Sequence, residues 1–290
     1  MRILITPDSF KDSLPANEIA GALKNGLEKV MPDASLILLP VADGGEGTVQ
    51  AVVNATGGKI KRIKVHDPLM REIDSFFGIT GDGNTAVIEM AAASGISLLK
   101  IEERNPWITN TAGTGELIKA ALDTDCEEIV VGIGGSATND GGAGMASALG
   151  VRFLNRAGEE IIPAGGNLDQ IERIDTSLLD KRISAIRFFV ACDVVNPLTG
   201  PEGASYTYGP QKGADTEMTS KLDKNLKHFG TKINEYLFKD VDGIPGAGAA
   251  GGLGAGLMAF LDARLMGGFE MVASIIDLEK EIAEADLIIT

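Results

Sequence analysis

Three aspartates stand directly after apolar, strand-like runs: Asp8 in ITPDSFK, Asp43 in LPVADGGEG and Asp193 in VACDVVNP. A fourth, Asp140, sits in the segment IGGSATNDGG. A carboxylate at the carboxyl end of a strand points at the edge where open α/β sheets bind ligands. Several together can hold Mg²⁺, which takes oxygen ligands and completes its shell with waters and phosphates. Each aspartate also precedes a helix, and capping explains any one of them well. Four beside glycine-rich loops favour a polar site.

Those loops carry the second signal. Glycine-rich turns before helices present bare backbone N–H groups and a positive helix end to an anion. Gly134-Gly135-Ser136-Ala137-Thr138-Asn139-Asp140-Gly141-Gly142 fits this description, and Gly246 to Gly254 is a second candidate. The second stretch serves equally well as a close-packed helix start or a hinge. The P-loop pattern G-x-x-x-x-G-K-[ST] is absent. The dinucleotide pattern occurs loosely at Gly132-x-Gly134-x-x-Ala137 and Gly246-x-Gly248-x-x-Gly251, without an acidic ribose partner after the former. Cations inside glycine-rich loops are few: Lys11 in DSFKDS and Lys212 in GPQKGA, each suited to offsetting phosphate charge. Arg104 in ERNPW can pair with a carboxylate in bidentate fashion, and Trp107 reads as a packing residue.

The elements that must position these residues follow an α/β pattern. RILIT (2–6) and SLILLPV (35–41) read as buried strands. Each is followed by a loop and a helix, the first helix opening near Ser13 and Pro15 with Ile19, Leu23, Leu27 and Val30 on one face. This repeat implies a parallel sheet with right-handed crossovers. EIDSFFGIT and TAVIEM flank the turn Gly81 to Asn84 and read as an antiparallel hairpin. A helix near 114–123, strands at 127–133, 151–155 and 188–194, a long loop at 196–213 and a polar helix at 215–238 come next. Residues 156–180 read as irregular with small helical pieces, and apolar helices follow the glycine-rich stretch 243–256. DLIIT at 286–290 reads as a last parallel strand returning to the first sheet. The pattern therefore gives residues 1–70 plus 282–290 as one discontinuous α/β unit and 71–281 as a second. A chain stopping on a strand leaves the loop after that strand outside the sequence, so the polypeptide is expected to continue past Thr290.

Composition narrows the chemistry. The chain has 290 residues, 26 basic against 41 acidic, and a net charge of −15. Nucleic acid and anionic membrane surfaces are poor partners for such a surface. No apolar run is long enough to span a bilayer, and MRILITPDSF enters a strand without a signal peptide, so a cytoplasmic location is expected. Cys126 and Cys192 are too few for a disulfide framework. His66, at a strand end, and His228, read onto an exposed helix face, rule out a histidine-rich metal site. What remains is an anion-binding, Mg²⁺-capable cleft, which suits phosphoryl transfer.

The blocks PDSFKDSL, VADGGEGT, NTAGTGELI, GIGGSATNDGGAGMASALG, CDVVNPLTGPEGASYTYGPQKGA and GAGAAGGLGAGL resemble, in order, signature segments of the bacterial type 1 glycerate kinases. The resemblance runs from residue 7 to the end, and the blocks at 132–150 and 192–214 are the most specific. Asp12 stands where the family often has Gly or Glu, and family chains continue past ADLIIT with a Gly-Glu-Gly loop and further helices. The resemblance implies ATP-dependent, Mg²⁺-assisted phosphorylation of glycerate, at its 2-hydroxyl. It also implies two α/β domains, one a flavodoxin-like parallel sheet and one a mixed sheet with a hairpin, with the active site in the cleft between them. A homodimer is compatible with this reading.

On that basis Asp193, Lys212, Lys11 and Asp8 are the candidate catalytic residues. Ser9, Gly44, Gly45, Glu46, Arg104, Gly134, Gly135, Ser136, Thr138, Asn139, Gln211, Gly251 and Gly252 are the candidate substrate and nucleotide contacts. Asp43, Asp140 and Asp193 are the candidate Mg²⁺ ligands. Two other classes are the alternatives. One is an NAD-dependent hydroxy-acid oxidoreductase, supported by the loose glycine fingerprints; the other is a non-catalytic small-acid binding protein.

Overall fold

A computed structural model of the chain describes residues 1–10 and 13–290. A three-stranded parallel sheet is built from β1 (Arg2–Ile5), β2 (Ser35–Leu38) and β11 (Leu287–Ile289), in the order β11-β1-β2. A six-stranded mixed sheet contains β3 (Lys59–His66), β4 (Glu72–Ile79), β5 (Thr85–Glu89), β6 (Glu128–Gly132), β9 (Arg187–Ala191) and β10 (Arg264–Met266). Its order is β10-β9-β6-β5-β4-β3, parallel from β10 to β5 and antiparallel beyond. The short strands β7 (Arg152–Leu154) and β8 (Arg173–Asp175) pair antiparallel with each other. The fold is α/β, with the expected hairpin and the expected return of DLIIT beside β1.

The helices fill three layers. α1 (Ala16–Val30) covers the outer face of the small sheet, where Ile3 and Ile5 of β1 pack with Ala20, Leu23 and Leu27. Leu4, one residue out of phase, points to the opposite face, as strand alternation requires. There it meets α2 (Thr48–Thr56) and α9 (Gly268–Ile275), which lie between the two sheets. Val49, Val52, Val53, Met271 and Val272 join Leu4 to Val87 of β5 and Val130 of β6. The far face of the large sheet carries α4 (Ala112–Leu122), α5 (Ala143–Ala148), α7 (Thr216–Leu237) and α8 (Ala249–Leu261). Phe153, Phe229 and Phe260 pack there with ring centroids 5.7–6.4 Å apart. Burial of this scale, at roughly 25 cal/mol per Å² of apolar surface, supplies the main stabilising term. Three short helices, α3 (Ala91–Ser94), α6 (Ala204–Tyr208) and α10 (Leu278–Glu284), complete the set.

Several expectations are corrected. KIKRIKVH, left without a strand assignment and placed with the first unit, is the outer strand β3 of the large sheet, paired along its length with β4. Its three lysines and one arginine suit an edge strand. The irregular region 156–180 contains β8, and β10 follows α8 directly. Val30 is 74% exposed rather than part of the apolar face of α1. His228 is half-buried on α7, with its Nε2 2.8 Å from the Ile171 carbonyl oxygen. The glycine-rich stretch runs into α8 through a left-handed turn at Ala250, Gly251 and Gly252, with φ of 53°, 69° and 89°.

The sheets meet where side chains are missing. A Cβ on Gly132, the last residue of β6, would lie 2.2 Å from the Gly44 carbonyl oxygen. A Cβ on Gly268 would lie 1.8 Å from the carbonyl oxygen of Asp43. Gly132→Ala is therefore expected to push the 43–47 loop off the large sheet and to cost about 1–3 kcal/mol. Gly21→Ala, in α1 with nothing within 4 Å of the new methyl, should be neutral or stabilising by up to ~1 kcal/mol. Urea unfolding of the two variants checks the contrast.

Candidate active site

The carboxyl ends of β1, β2, β5, β6 and β9 open onto one cleft of about 1310 Å³. Of the sequence candidates, Asp8, Ser9, Asp43, Gly44, Gly45, Glu46, Gly134, Gly135, Ser136, Asp193, Gln211 and Lys212 line it. Lys11 lies outside the described residues. Arg104, Thr138, Asn139, Asp140, Gly251 and Gly252 do not line it.

Asp43 and Asp193 converge from different strands. Asp43 Oδ1 accepts the Gly45 N–H at 3.1 Å, which holds the turn of its own loop. Asp193 Oδ1 accepts the Gly268 N–H at 2.8 Å, at the start of α9. The space beside Gly268 that touches the Asp43 carbonyl also lies 2.8 Å from Asp193 Oδ2. Both carboxylates are exposed to the cleft. Capping and site geometry therefore coincide, because the helix that Asp193 caps lies between the sheets.

Asp140 is corrected from a metal ligand to a structural acceptor. It is 0% exposed. Its Oδ2 accepts the Thr111 N–H and hydroxyl, both at 2.8 Å, and the Gly144 N–H at 3.1 Å, while Oδ1 accepts the Gly142 N–H at 3.2 Å. Burial pushes its carboxyl above the usual range, opposed by these donors. It ties the starts of α4 and α5 together and has no face toward the cleft. Among the described residues no group of three or more His, Cys, Asp or Glu side chains is placed to hold a metal. The expected three-aspartate site is thus reduced to the Asp43–Asp193 pair.

Lys212 is the buried cation of the cleft. It is 1% exposed, in the 3₁₀ turn Pro210–Lys212 after α6. Its Nζ donates to the Thr138 carbonyl at 2.6 Å and to Ser136 Oγ at 3.2 Å. Burial lowers its pKa from 10.5 to about 7, with the nearby Asp140 charge acting in the opposite sense. Ser136 Oγ also accepts the Thr138 N–H at 3.1 Å, so the loop and the lysine organise each other.

The remaining assignments are not among the residues that line the cleft. Thr138 and Asn139 are 0% exposed, and Asn139 donates to Ser205 Oγ at 2.9 Å. A Cβ on Gly251 would lie 2.0 Å from the Thr138 carbonyl oxygen, so Gly251 and Gly252 let α8 approach the loop and do not present amides to the cleft. The Gly246 fingerprint consequently sits at a left-handed helix start rather than in a strand-to-helix turn. Arg104 packs its carbonyl against Gly213. His66 is bonded to Glu116, Nδ1 to Oε1 at 2.7 Å, away from the cleft.

The cleft residues that were not anticipated include Glu89, Arg62 and Tyr208. Glu89 ends the apolar run TAVIE, the same strand-end signal that marks the aspartates. It is 6% exposed, and its Oε1 accepts the Val49 N–H at 2.7 Å.

Comparison with known proteins agrees with this geometry. The family model described as the Glycerate kinase family matches residues 3–290. A glycerate kinase from Bacillus subtilis (strain 168) is 53% identical over 290 residues, covering 100% of this chain and 76% of that protein. A glycerate 2-kinase from Escherichia coli (strain K12) is 50% identical over 290 residues, with the same coverage. A crystal structure from Salmonella typhimurium LT2, assigned as a glycerate kinase 2, superposes with a TM-score of 0.96 at 50% identity, covering 99% of this chain and 77% of that one. With a strand-end cleft of this make-up and matches of this extent, the chain belongs to the glycerate kinase family.

Proposed function

We propose that the chain phosphorylates glycerate at its 2-hydroxyl, using ATP carried with Mg²⁺. The observation that carries this reading is the meeting of Asp43, Ser136, Asp193 and Lys212 in one cleft. Phosphoryl transfer needs positioning and charge neutralisation more than a protein nucleophile. Mg²⁺ is commonly held by one or two carboxylates plus substrate phosphates, and the Asp43–Asp193 pair fits that donor set. When bound there, the ion would neutralise charge on the transferring group.

The chain's own groups then have distinct tasks. Gly134 and Gly135, exposed on the cleft wall without Cβ atoms, allow phosphate oxygens close to the backbone. The turn around Gly44 and Gly45, packed against Gly132 and Gly134, offers the same beside it. Burial lowers the Lys212 pKa to about 7, and a phosphate anion beside it would favour its charged form. Ser9 and Asp8 are assigned to the loop after β1 that lines the cleft, and Gln211 to the substrate side; Lys11, outside the described residues, is assigned to phosphate charge on its residue type alone. The two-lobe division belongs to this reading, with the small sheet as one lobe and the large sheet as the other. A cytoplasmic enzyme acting on a small molecule completes it. No helix among the described residues is long and apolar enough to cross a membrane.

The direct test is incubation with ATP, Mg²⁺ and D-glycerate, followed by separation of 2- and 3-phosphoglycerate. The 2-isomer is expected, and 3-phosphoglycerate or no product overturns the reading. Asp193→Asn and Lys212→Ala should each lower kcat by at least ~10²-fold, and near-normal rates in folded variants would remove both from the site.

The buried lysine also sets a pH dependence. Its folded pKa lies below its unfolded one, so between pH 7 and about 10 the unfolded chain holds more protons and the wild type gains stability as pH rises. Relative to Lys212→Met, the wild type should gain up to about 4 kcal/mol over that window, read from urea midpoints at several pH values. A difference independent of pH would show that Lys212 is not titrating there.

A further inference from the structure

Phosphorylation of an alcohol, the reading on which this inference rests, releases the hydroxyl proton, and a positioned base must receive it. The two carboxylates assigned to Mg²⁺ are poor choices, because a metal-bound carboxylate has its lone pairs engaged by the cation. Asp140 is closed off by four donors. Asp8 and Glu46 are exposed. A carboxylate that is close, shielded and held in one orientation is needed, and β5 ends in one.

Glu89 is the last residue of β5 and is paired in register with Gly132, which opens into the Gly134–Ser136 loop. It stands between that loop and the start of α2, and it lines the cleft. At 6% exposure it is largely removed from solvent. The 2.7 Å bond from the Val49 N–H fixes the side chain through Oε1. We propose that Glu89 is the general base of the reaction. The acceptor oxygen of glycerate bonds to the γ-phosphorus and the bond from that phosphorus to the β–γ bridging oxygen breaks. The electron pair leaves with ADP, and the hydroxyl proton passes to the Glu89 carboxylate, then to solvent after product release.

The electrostatics fit the task. Burial pushes the Glu89 carboxyl up from its ordinary value and the adjacent Glu46 charge adds to this, while the N–H groups of Val49 and Gly47 oppose it. Asp8, Glu18, Asp43, Asp74, Asp193, Arg62 and Lys212 are the other charged groups among the described residues that line the same cleft. A base whose pKa is raised toward the working pH takes a proton more effectively than an ordinary surface carboxylate.

Glu89→Gln tests this, because the amide oxygen can still accept the Val49 N–H but cannot take a proton. With wild type assayed in parallel, kcat should fall by ~10²–10⁴-fold while both KM values stay within ~3-fold and the melting temperature is nearly unchanged. An active wild type with an equally active Glu89→Gln overturns the base and leaves the kinase reading standing. An inactive wild type sinks both. Should Glu89→Gln melt early, kcat of the wild type at saturating Mg-nucleotide decides. A fall on the acid side, centred above the usual glutamate range, is expected, and a flat profile from pH 5 to 8 overturns the assignment.

Discussion

The cleft depends on a contact from which side chains are excluded. Gly44, Gly132 and Gly268 bring the loop after β2, the end of β6 and the start of α9 together with no room for one added carbon. Any side chain at Gly132 or Gly268 would meet backbone oxygen, which cannot rotate away. This close approach sets two sheets with their carboxyl ends toward a common space, and helices α2 and α9 fill the layer behind it. Strand-end carboxylates then become shared structural and chemical groups. Glu89 closes the start of α2 and Asp193 closes the start of α9, so each is oriented by a helix that the packing has already placed.

A second consequence is electrostatic. Among the described residues that line the cleft, acids outnumber cations, although the proposed substrates are anions. A cation buried against the glycine-rich loop is one resolution. Lys212 loses its water but keeps the Thr138 carbonyl and the Ser136 hydroxyl, so its charge is costly when the cleft is empty and is stabilised when an anion enters. Asp140 lies near it and takes up donors from Thr111, Gly142 and Gly144 at the α4 and α5 starts. The glycine-rich segment 134–142 thus divides in two. Its first three residues face the cleft, and the rest build the wall that holds Lys212.

This division marks the limit of what the sequence discloses. The strand–loop–helix repeat, the hairpin and the return of DLIIT beside β1 follow from apolar runs and turn residues, which are local signals. KIKRIKVH was missed because an edge strand alternates charge with aliphatic residues and shows no continuous apolar run. The strands β8 and β10 are three residues each, too short for any period. Ser136 and Thr138 are two residues apart and chemically alike, yet one lines the cleft and the other is 0% exposed. Only loop geometry separates them. Gly251 and Gly252 read as anion binders because a glycine needed for close packing and one needed for phosphate look identical in sequence. Glu89, by contrast, was legible: it ends an apolar run as Asp8 nearly does, and was passed over because a glutamate two residues before a helix reads as ordinary.

The separation of carboxylates along the sheet edge has a chemical logic. A group that binds a cation and a group that accepts a proton need opposite surroundings. The first gains from exposure to the cleft and from backbone N–H donors, as at Asp43 and Asp193. The second gains from burial, which weakens its anionic form and keeps it reactive. Strands of the two sheets end at different depths around the cleft, so one cleft can supply both. The β2 and β9 ends place their acids on the open side, and the β5 end places Glu89 beneath the start of α2. Depth within a single cleft is enough to give chemically similar carboxylates different tasks, and the tight glycine contact keeps those depths apart.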